Sequence, residues 1–205
     1  MNKKGLLVIV SGPSGAGKGT VVDILKNDSR FALSISVTTR APRINETEGV
    51  NYFFRSEDEF KKMADNKEFL EYAIFCGNYY GTPISYVNQK LEEGKNVILE
   101  IEVQGALQVK EIFKEAILIF LTPPSINELK HRLENRATEP KDRIEMRLNR
   151  AKEEFDMMDK YDYIVINNEI EKASNDIKNI VYAEKMRANR NLYLKNILKG
   201  DEIKC

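Results

Sequence analysis

Four short apolar runs stand out from a heavily charged chain: Leu6–Val10, Val97–Ile101, Ile117–Leu121 and Tyr163–Ile166. None keeps the apolar–polar alternation of a strand with one wet face, so the pattern predicts strands buried on both sides. Between them the spacing turns helical, over Gly105–Lys114 and Glu128–Asn135, and 171–198 reads as one long charged amphipathic helix. Ser56 with Glu59, and Ser125 with Glu128, have the three-residue spacing of capping boxes that open helices. Buried strands alternating with helices predict an α/β fold, a parallel sheet flanked by helices.

Two segments break this rhythm. Residues 34–90 are rich in Tyr, Phe, Thr and Asn, with short strand-like pieces such as Tyr52–Phe54, and read as an inserted mixed α+β lobe. Residues 126–156 are densely charged, with eight Lys or Arg against four Asp or Glu from Lys130 to Lys152. Arg132 and Arg136, and Arg143 and Arg147, are four apart, so each pair shares a helix face. A solvated hairpin would explain this segment alone; a helical lid that swings onto polyphosphate explains it together with the glycine-rich loop near the N-terminus. The expected organisation is a single domain with a core of about 1–33, 91–125 and 157–205, the lobe at 34–90 and the lid at 126–156.

The first apolar run leads directly into Gly12, Pro13, Ser14, Gly15, Ala16, Gly17, Lys18, Gly19 and Thr20. A strand, then Gly-x4-Gly-Lys, then a helix is the P-loop arrangement. Glycines let successive N–H groups point inward at a phosphate chain, the helix N-terminus adds a positive dipole end, and Lys18 supplies a cation for the β- and γ-phosphates. A nucleoside triphosphate is therefore the expected ligand. Gly19 stands where other P-loops place a Ser or Thr hydroxyl on Mg²⁺, and Thr20 comes one residue late. Mg²⁺ is accordingly expected to be held by phosphate oxygens and water, with no dedicated protein metal site.

Composition narrows the class. At 205 residues, 42% hydrophobic and 31% charged, the chain reads as a soluble globular protein. Lys plus Arg equal Asp plus Glu at 32 each, so no global field favours nucleic acid or an anionic membrane. Its two cysteines, Cys76 and Cys205, do not suggest a disulfide framework. The N-terminal apolar run is too short for a signal sequence, and no run reaches membrane-spanning length, so a cytoplasmic protein is expected. The single histidine, His131, sits in a charged helix and reads as a surface residue.

The inserted segment carries a second candidate site. Ser36-Val37-Thr38-Thr39-Arg40-Ala41-Pro42-Arg43 places two guanidinium groups three residues apart, able to grip phosphate oxygens bidentately. Gly49-Val50-Asn51-Tyr52 and Gly77-Asn78-Tyr79-Tyr80-Gly81-Thr82 add hydroxyls that could donate to the same phosphate. Taken in order with Glu-Phe-Leu-Glu-Tyr (68–72) and Leu-Glu-Ile-x-x-Gln-Gly (99–105), these elements resemble the guanylate kinase family from about Leu6 through Asn167.

The resemblance implies a P-loop NTPase-type core with an inserted nucleoside-monophosphate-binding lobe and a helical lid, and transfer of the γ-phosphate of ATP to GMP or dGMP. It implies that Ser36, Arg40, Arg43, Tyr52 and Tyr80 bind the GMP phosphate. Glu71, Thr82 and Glu102 would read guanine, and Glu100 would sit near the phosphates and Mg²⁺. Arg136 and Arg147 would be lid arginines that join Lys18 and Arg40 in catalysis, with Asn167 at the adenine. Chemistry supports Glu71 independently: guanine offers N1–H and a 2-amino group side by side, and a carboxylate is an acceptor-only fork. The chain departs from the family pattern at Ala137, where Gly is common, and at Glu102, where Asp is common. Two rival readings stay open on the sequence alone, a non-catalytic guanylate kinase-like binding module and a P-loop kinase of a phosphorylated sugar.

Overall fold

The computed structural model describes residues 4–75, 77–135 and 141–199. Along the chain run β1 (Leu7–Ser11), α1 (Lys18–Leu25), β2 (Phe31–Leu33), β3 (Val37–Thr38), β4 (Phe53–Phe54), α2 (Glu57–Asp65), β5 (Phe69–Phe75), β6 (Asn78–Pro83) and α3 (Ile84–Glu92). The chain continues with β7 (Asn96–Glu100), α4 (Val103–Ile112), β8 (Ile117–Thr122), α5 (Ile126–Glu134), α6 (Lys141–Phe155), β9 (Tyr163–Ile166), α7 (Ile170–Met186) and α8 (Leu194–Leu198).

Uninterrupted apolar strands can pair only where both faces are covered, and the core sheet meets that demand. Its order is β2-β7-β1-β8-β9, with every neighbouring pair parallel. Alternate residues point to opposite faces. Val8, Val10, Ile98, Ile119 and Leu121 pack with Val21, Val22 and Leu25 of α1 and Ile177 and Val181 of α7. Leu7, Ile9, Val97, Leu99 and Leu118 pack on the other face with Val87 and Leu91 of α3 and Ala106 and Val109 of α4. The α/β fold with a parallel sheet between helices is thus the one the pattern predicts.

Residues 37–83 hold a second sheet, ordered β4-β3-β6-β5 and mixed in direction. Its small core is aromatic: Phe60 of α2 stacks on Phe69 at 4.5 Å between ring centroids, with Val37 and Tyr79 close by. Ser56 opens α2 with a complete capping box, its hydroxyl accepting from Glu59 N–H while the Glu59 carboxylate accepts from Ser56 N–H. Such a cap contributes about 1 kcal/mol.

Three expectations need correcting. The segment 171–198 is not one helix: α7 stops at Met186, and Asn191 caps its end by donating to the carbonyls of Lys185 and Arg187. A 3-10 turn and the short α8 come after it. The β9 run is an edge strand covered on one face only, with Ile164 and Ile166 more than half exposed at 52% and 56%. Ser125 makes half a capping box. Its hydroxyl accepts from Glu128 N–H, but the Glu128 carboxylate turns away to Arg132.

Candidate active site

The carboxyl ends of β1, β7 and β8 meet at the glycine loop. Gly12, Gly15 and Gly17 all adopt positive φ, at 142°, 94° and 89°. At Gly12 the requirement is also steric, since a Cβ there would lie 2.1 Å from the Leu121 carbonyl oxygen of β8. Gly17 is the N-cap of α1, which begins at Lys18, so the first-turn amides and the positive dipole end face the loop. Lys18 Nζ folds back onto the loop, donating to Gly12 O at 2.6 Å and Pro13 O at 3.3 Å. Two loop carbonyls thereby hold the cation over the place a polyphosphate would take.

The loop is braced from far along the chain. Asn167, just past β9, is buried and donates through Nδ2 to Ala16 O at 2.8 Å. Its own carbonyl accepts from Arg132 Nη2 of α5 at 2.9 Å, and Arg132 Nε donates to Glu128 at 2.7 Å. Asn167, expected opposite an adenine, donates to the loop through Nδ2, and its Oδ1 is buried without a partner among the described residues. Gly17 leaves room for this contact, for a Cβ there would come within 2.4 Å of Asn167 Nδ2.

Across from the loop, a cavity of about 170 Å³ lies where the second sheet meets the first, and Ser36, Tyr52, Thr82 and Glu100 line it. Thr82 is buried and donates to Glu71 Oε1 at 2.6 Å. Burial pushes the Glu71 carboxyl above its ordinary pKa, and the Thr82 hydrogen bond pulls the other way. Its second oxygen lies near the first turn of α4, 3.4 Å from where a Cβ on Gly105 would be. Glu100 ends β7 within solvent's reach, yet surrounding protein raises its pKa against the pull of Lys18. Both Glu100 oxygens lie 3.6 Å from the Cβ position of Gly19, so this carboxylate joins the cavity to the loop.

Arg40 sits over the Tyr52 ring at 5.5 Å, and that ring meets Tyr80 edge-on at 6.0 Å. Glu46 accepts twice from Arg40 Nη2, at 2.7 and 2.9 Å, and once from Arg43 N–H at 2.9 Å. The Arg40 guanidinium holds the Glu46 carboxyl below the usual carboxylate range.

The structure therefore groups Ser36, Arg40, Tyr52, Glu71, Tyr80, Thr82 and Glu100 in one contiguous region. It does not bring Glu102 to Glu71 by any hydrogen bond among the described residues. Glu102 occupies the N-cap position of α4 without a side-chain cap bond, and its carboxylate pairs with Arg150 of α6 at 3.1 Å. Arg43 is exposed, and Arg147 is half-buried on α6. Arg136 and the Ala137 departure lie outside the described residues, as do Cys76 and Cys205.

Three residues of the site went unforeseen, Ser34, Glu46 and Arg150, while Arg132, expected on a lid face, bonds Glu128 and the Asn167 carbonyl. Ser34 lines the same cavity and its hydroxyl is buried without a partner among the described residues. Its signal was legible, because it lies two positions before Ser36 on an extended segment and so shares its side. Glu46 offered only a nearby opposite charge, and one partner each of Arg132 and Arg150, Asn167 and Glu102, lies far off in sequence.

A glycine loop at the carboxyl edge of a parallel sheet, facing a cavity with a half-buried carboxylate and an arginine beside it, defines a P-loop nucleotide-binding protein with a second ligand site. A family model described as guanylate kinase matches residues 4–184. The chain is 55% identical over 202 residues to a guanylate kinase of Bacillus cereus (strain ZK / E33L), covering 97% of this chain and 98% of that one. It is 53% identical over 192 residues to a guanylate kinase of Bacillus subtilis (strain 168), covering 93% and 94%. The crystal structure of guanylate kinase from Anaplasma phagocytophilum superposes with a TM-score of 0.69 at 33% identity, covering 91% of this chain and 89% of that one. The chain belongs to the guanylate kinase family.

Proposed function

We propose that the protein transfers the γ-phosphate of ATP to GMP, giving ADP and GDP. The observation that carries this reading is the cavity lined by Ser36, Tyr52, Thr82 and Glu100, with Glu71 bonded to Thr82 and Glu100 reaching the P-loop at Gly19. It provides a base-reading carboxylate at one end and phosphate-binding groups at the other, next to a triphosphate cradle.

Phosphoryl transfer needs positioning and charge neutralisation more than proton abstraction, because the attacking GMP phosphate oxygen is already anionic. Lys18 leaves its two carbonyls for the β- and γ-phosphates of ATP. Arg40 exchanges Glu46 for the GMP phosphate, assisted by Arg43, Ser36, Tyr52 and Tyr80. Glu71 accepts from guanine N1–H and the 2-amino group, and Thr82 steadies it. Adenine has a lone pair at N1 and no 2-amino group, so it would leave this half-buried carboxylate unpaired. No contact in this scheme depends on the 2′-hydroxyl, so dGMP is a substrate too.

Segments 34–90 and 126–156 act as a GMP lobe and a lid closing over a core of 1–33, 91–125 and 157–205. Arg136 and Arg147 reach the transferred phosphoryl group on closure, which also excludes water. Magnesium arrives with the nucleotide. Among the described residues no group of three His, Cys, Asp or Glu could hold a metal, while Glu100 beside Gly19 is placed to accept from a water on the ion. When bound, the ion neutralises β- and γ-phosphate charge. No helix among the described residues is long and apolar enough to cross a membrane, and with ATP and GMP as substrates we place the protein in the cytoplasm.

The intact lysine-bearing loop favours an enzyme over a non-catalytic binding module, and Glu71 with Thr82 favours a guanine nucleotide over a sugar phosphate. An ADP-release assay with a panel of phosphate acceptors tests the reading. GMP and dGMP should turn over, while AMP, CMP and sugar phosphates should not; equal turnover of AMP, or none with GMP, would overturn it.

A further inference from the structure

Arg150 of α6 lies between two carboxylates from different parts of the fold. Its Nε donates to Glu154 Oε1 at 3.1 Å, one helical turn on, and its Nη2 donates to Glu102 Oε2 at 3.1 Å, 48 residues away at the start of α4. The two acids differ sharply in burial, with the Glu154 side chain 10% exposed and that of Glu102 57% exposed. The guanidinium is thus anchored at its Nε end and extended at the other.

The Glu154 carboxyl is pushed up by burial and then by Glu102, and Arg150 opposes both. Arg150 therefore screens two acids that repel each other, and its planar fork fixes the direction in which Glu102 points. That direction matters because of what α4 touches. Glu102 is the N-cap of α4, and Gly105, one turn later, lies against the oxygen of Glu71 not taken by Thr82. One turn of helix therefore carries Glu102 and borders the base-reading carboxylate.

We propose that Arg150 is a positioning residue for GMP: it holds Glu102 aimed for the guanine 2-amino group, and through α6 couples base reading to the lid. The proposal rests on the GMP reading above. Glutamate is one methylene longer than the aspartate common in the family, and Arg150 removes the freedom that this length adds. As an exposed ion pair the contact contributes little to stability, so its loss should be felt in recognition and not in folding.

The test is a double-mutant cycle in the full-length protein, with GMP and IMP (which lacks the 2-amino group) as acceptors at saturating MgATP. Arg150→Ala should raise KM for GMP about fivefold with kcat within about twofold, and should raise KM for IMP much less. Arg150→Lys should recover part of the loss. In a Glu102→Gln background, Arg150→Ala should add less than about twofold, because its route of action is already gone. Additive losses, equal losses for GMP and IMP, or no loss would overturn the proposal while leaving GMP phosphorylation intact. So would a fall in Tm for Arg150→Ala that accounts for the kinetic change. Absence of GMP turnover by the unsubstituted protein would overturn the functional reading itself, a separately visible result.

Discussion

The two phosphate-binding regions are built on opposite principles. The P-loop binds through backbone groups whose shape is imposed by packing: Gly12 against Leu121, Gly17 against Asn167, Ala16 tied to Asn167. The facing region, as proposed, binds through side chains, two of which are held by internal partners. Arg40 rests on Glu46 and Glu71 on Thr82. The loop is thus shaped before ligand arrives, whereas Arg40 in the facing region must exchange Glu46 for a ligand. Damage to the first should appear as lost chemistry or lost stability, and damage to the second as lost affinity and selectivity.

The most severe way to break this contrast is at Lys18. Lys18→Met should lower kcat by about 10³-fold, with KM for GMP little changed, since the charge acts on the transferred group. Single-turnover transfer at a near-normal rate would show that the loop does not do this work. Glu71→Gln comes next, with a loss of roughly 10²-fold in kcat/KM for GMP, a higher AMP-to-GMP ratio and unchanged ATP affinity; a ratio that does not move would remove Glu71 from base reading.

The same substitution carries a stability signature. The Glu71 carboxyl is raised in the folded state by burial, so its ionised form is penalised, and native stability falls as pH rises from the unfolded pKa through the folded one. Glu71→Gln removes the penalty, so Tm should rise by about 2 °C at neutral pH, and the two proteins should converge below about pH 4.5. Melting curves across that range decide it.

Arg147→Ala should lower kcat by about 30-fold with a smaller change in KM, the sign of a contact made mainly in the transition state. Unchanged kcat would make α6 a solvated helix. Gly12→Ala sharpens the contrast differently. Its Cβ meets backbone, and the loop should lose ATP binding with about 3 kcal/mol of stability, read by denaturant titration. The mildest change is Glu46→Gln, which removes a counter-charge without touching substrate and should shift KM for GMP by no more than about threefold. A larger shift would mean that Glu46 helps build the phosphate site.

Legibility in the sequence depended on range. The P-loop and the strand before it could be read because every requirement is local: a run of apolar residues, glycines at fixed offsets, a lysine. The apolar runs located four of the five core strands for the same reason. β2 escaped because it is three residues long, with only Phe31 fully buried. The edge position of β9 was invisible because an apolar run says nothing about which neighbour will cover it. The end of α7 depends on Asn191 reaching back to two carbonyls, a contact that charge periodicity does not encode. In the site, Glu71 and Arg40 could be recognised by chemistry, but their partners Thr82 and Glu46 are matters of side-chain geometry. Arg132 and Asn167 act through bonds spanning 35 and 151 residues, beyond any local pattern.

The Asn167 brace has a consequence for the order in which the molecule comes into being. The loop it shapes is among the first segments to leave the ribosome, and its brace lies 151 residues behind. At about 5–20 residues per second, roughly 10–30 s separate the two. Through that interval a nascent chain displays the glycine motif without the contact that sets its curvature, and without the arginine of α5 secured behind it. An unfinished chain therefore presents the glycine loop without the bond from Asn167 to Ala16 O that braces it. The position of one asparagine just past the last core strand thus ties the first loop of the chain to one of its late segments.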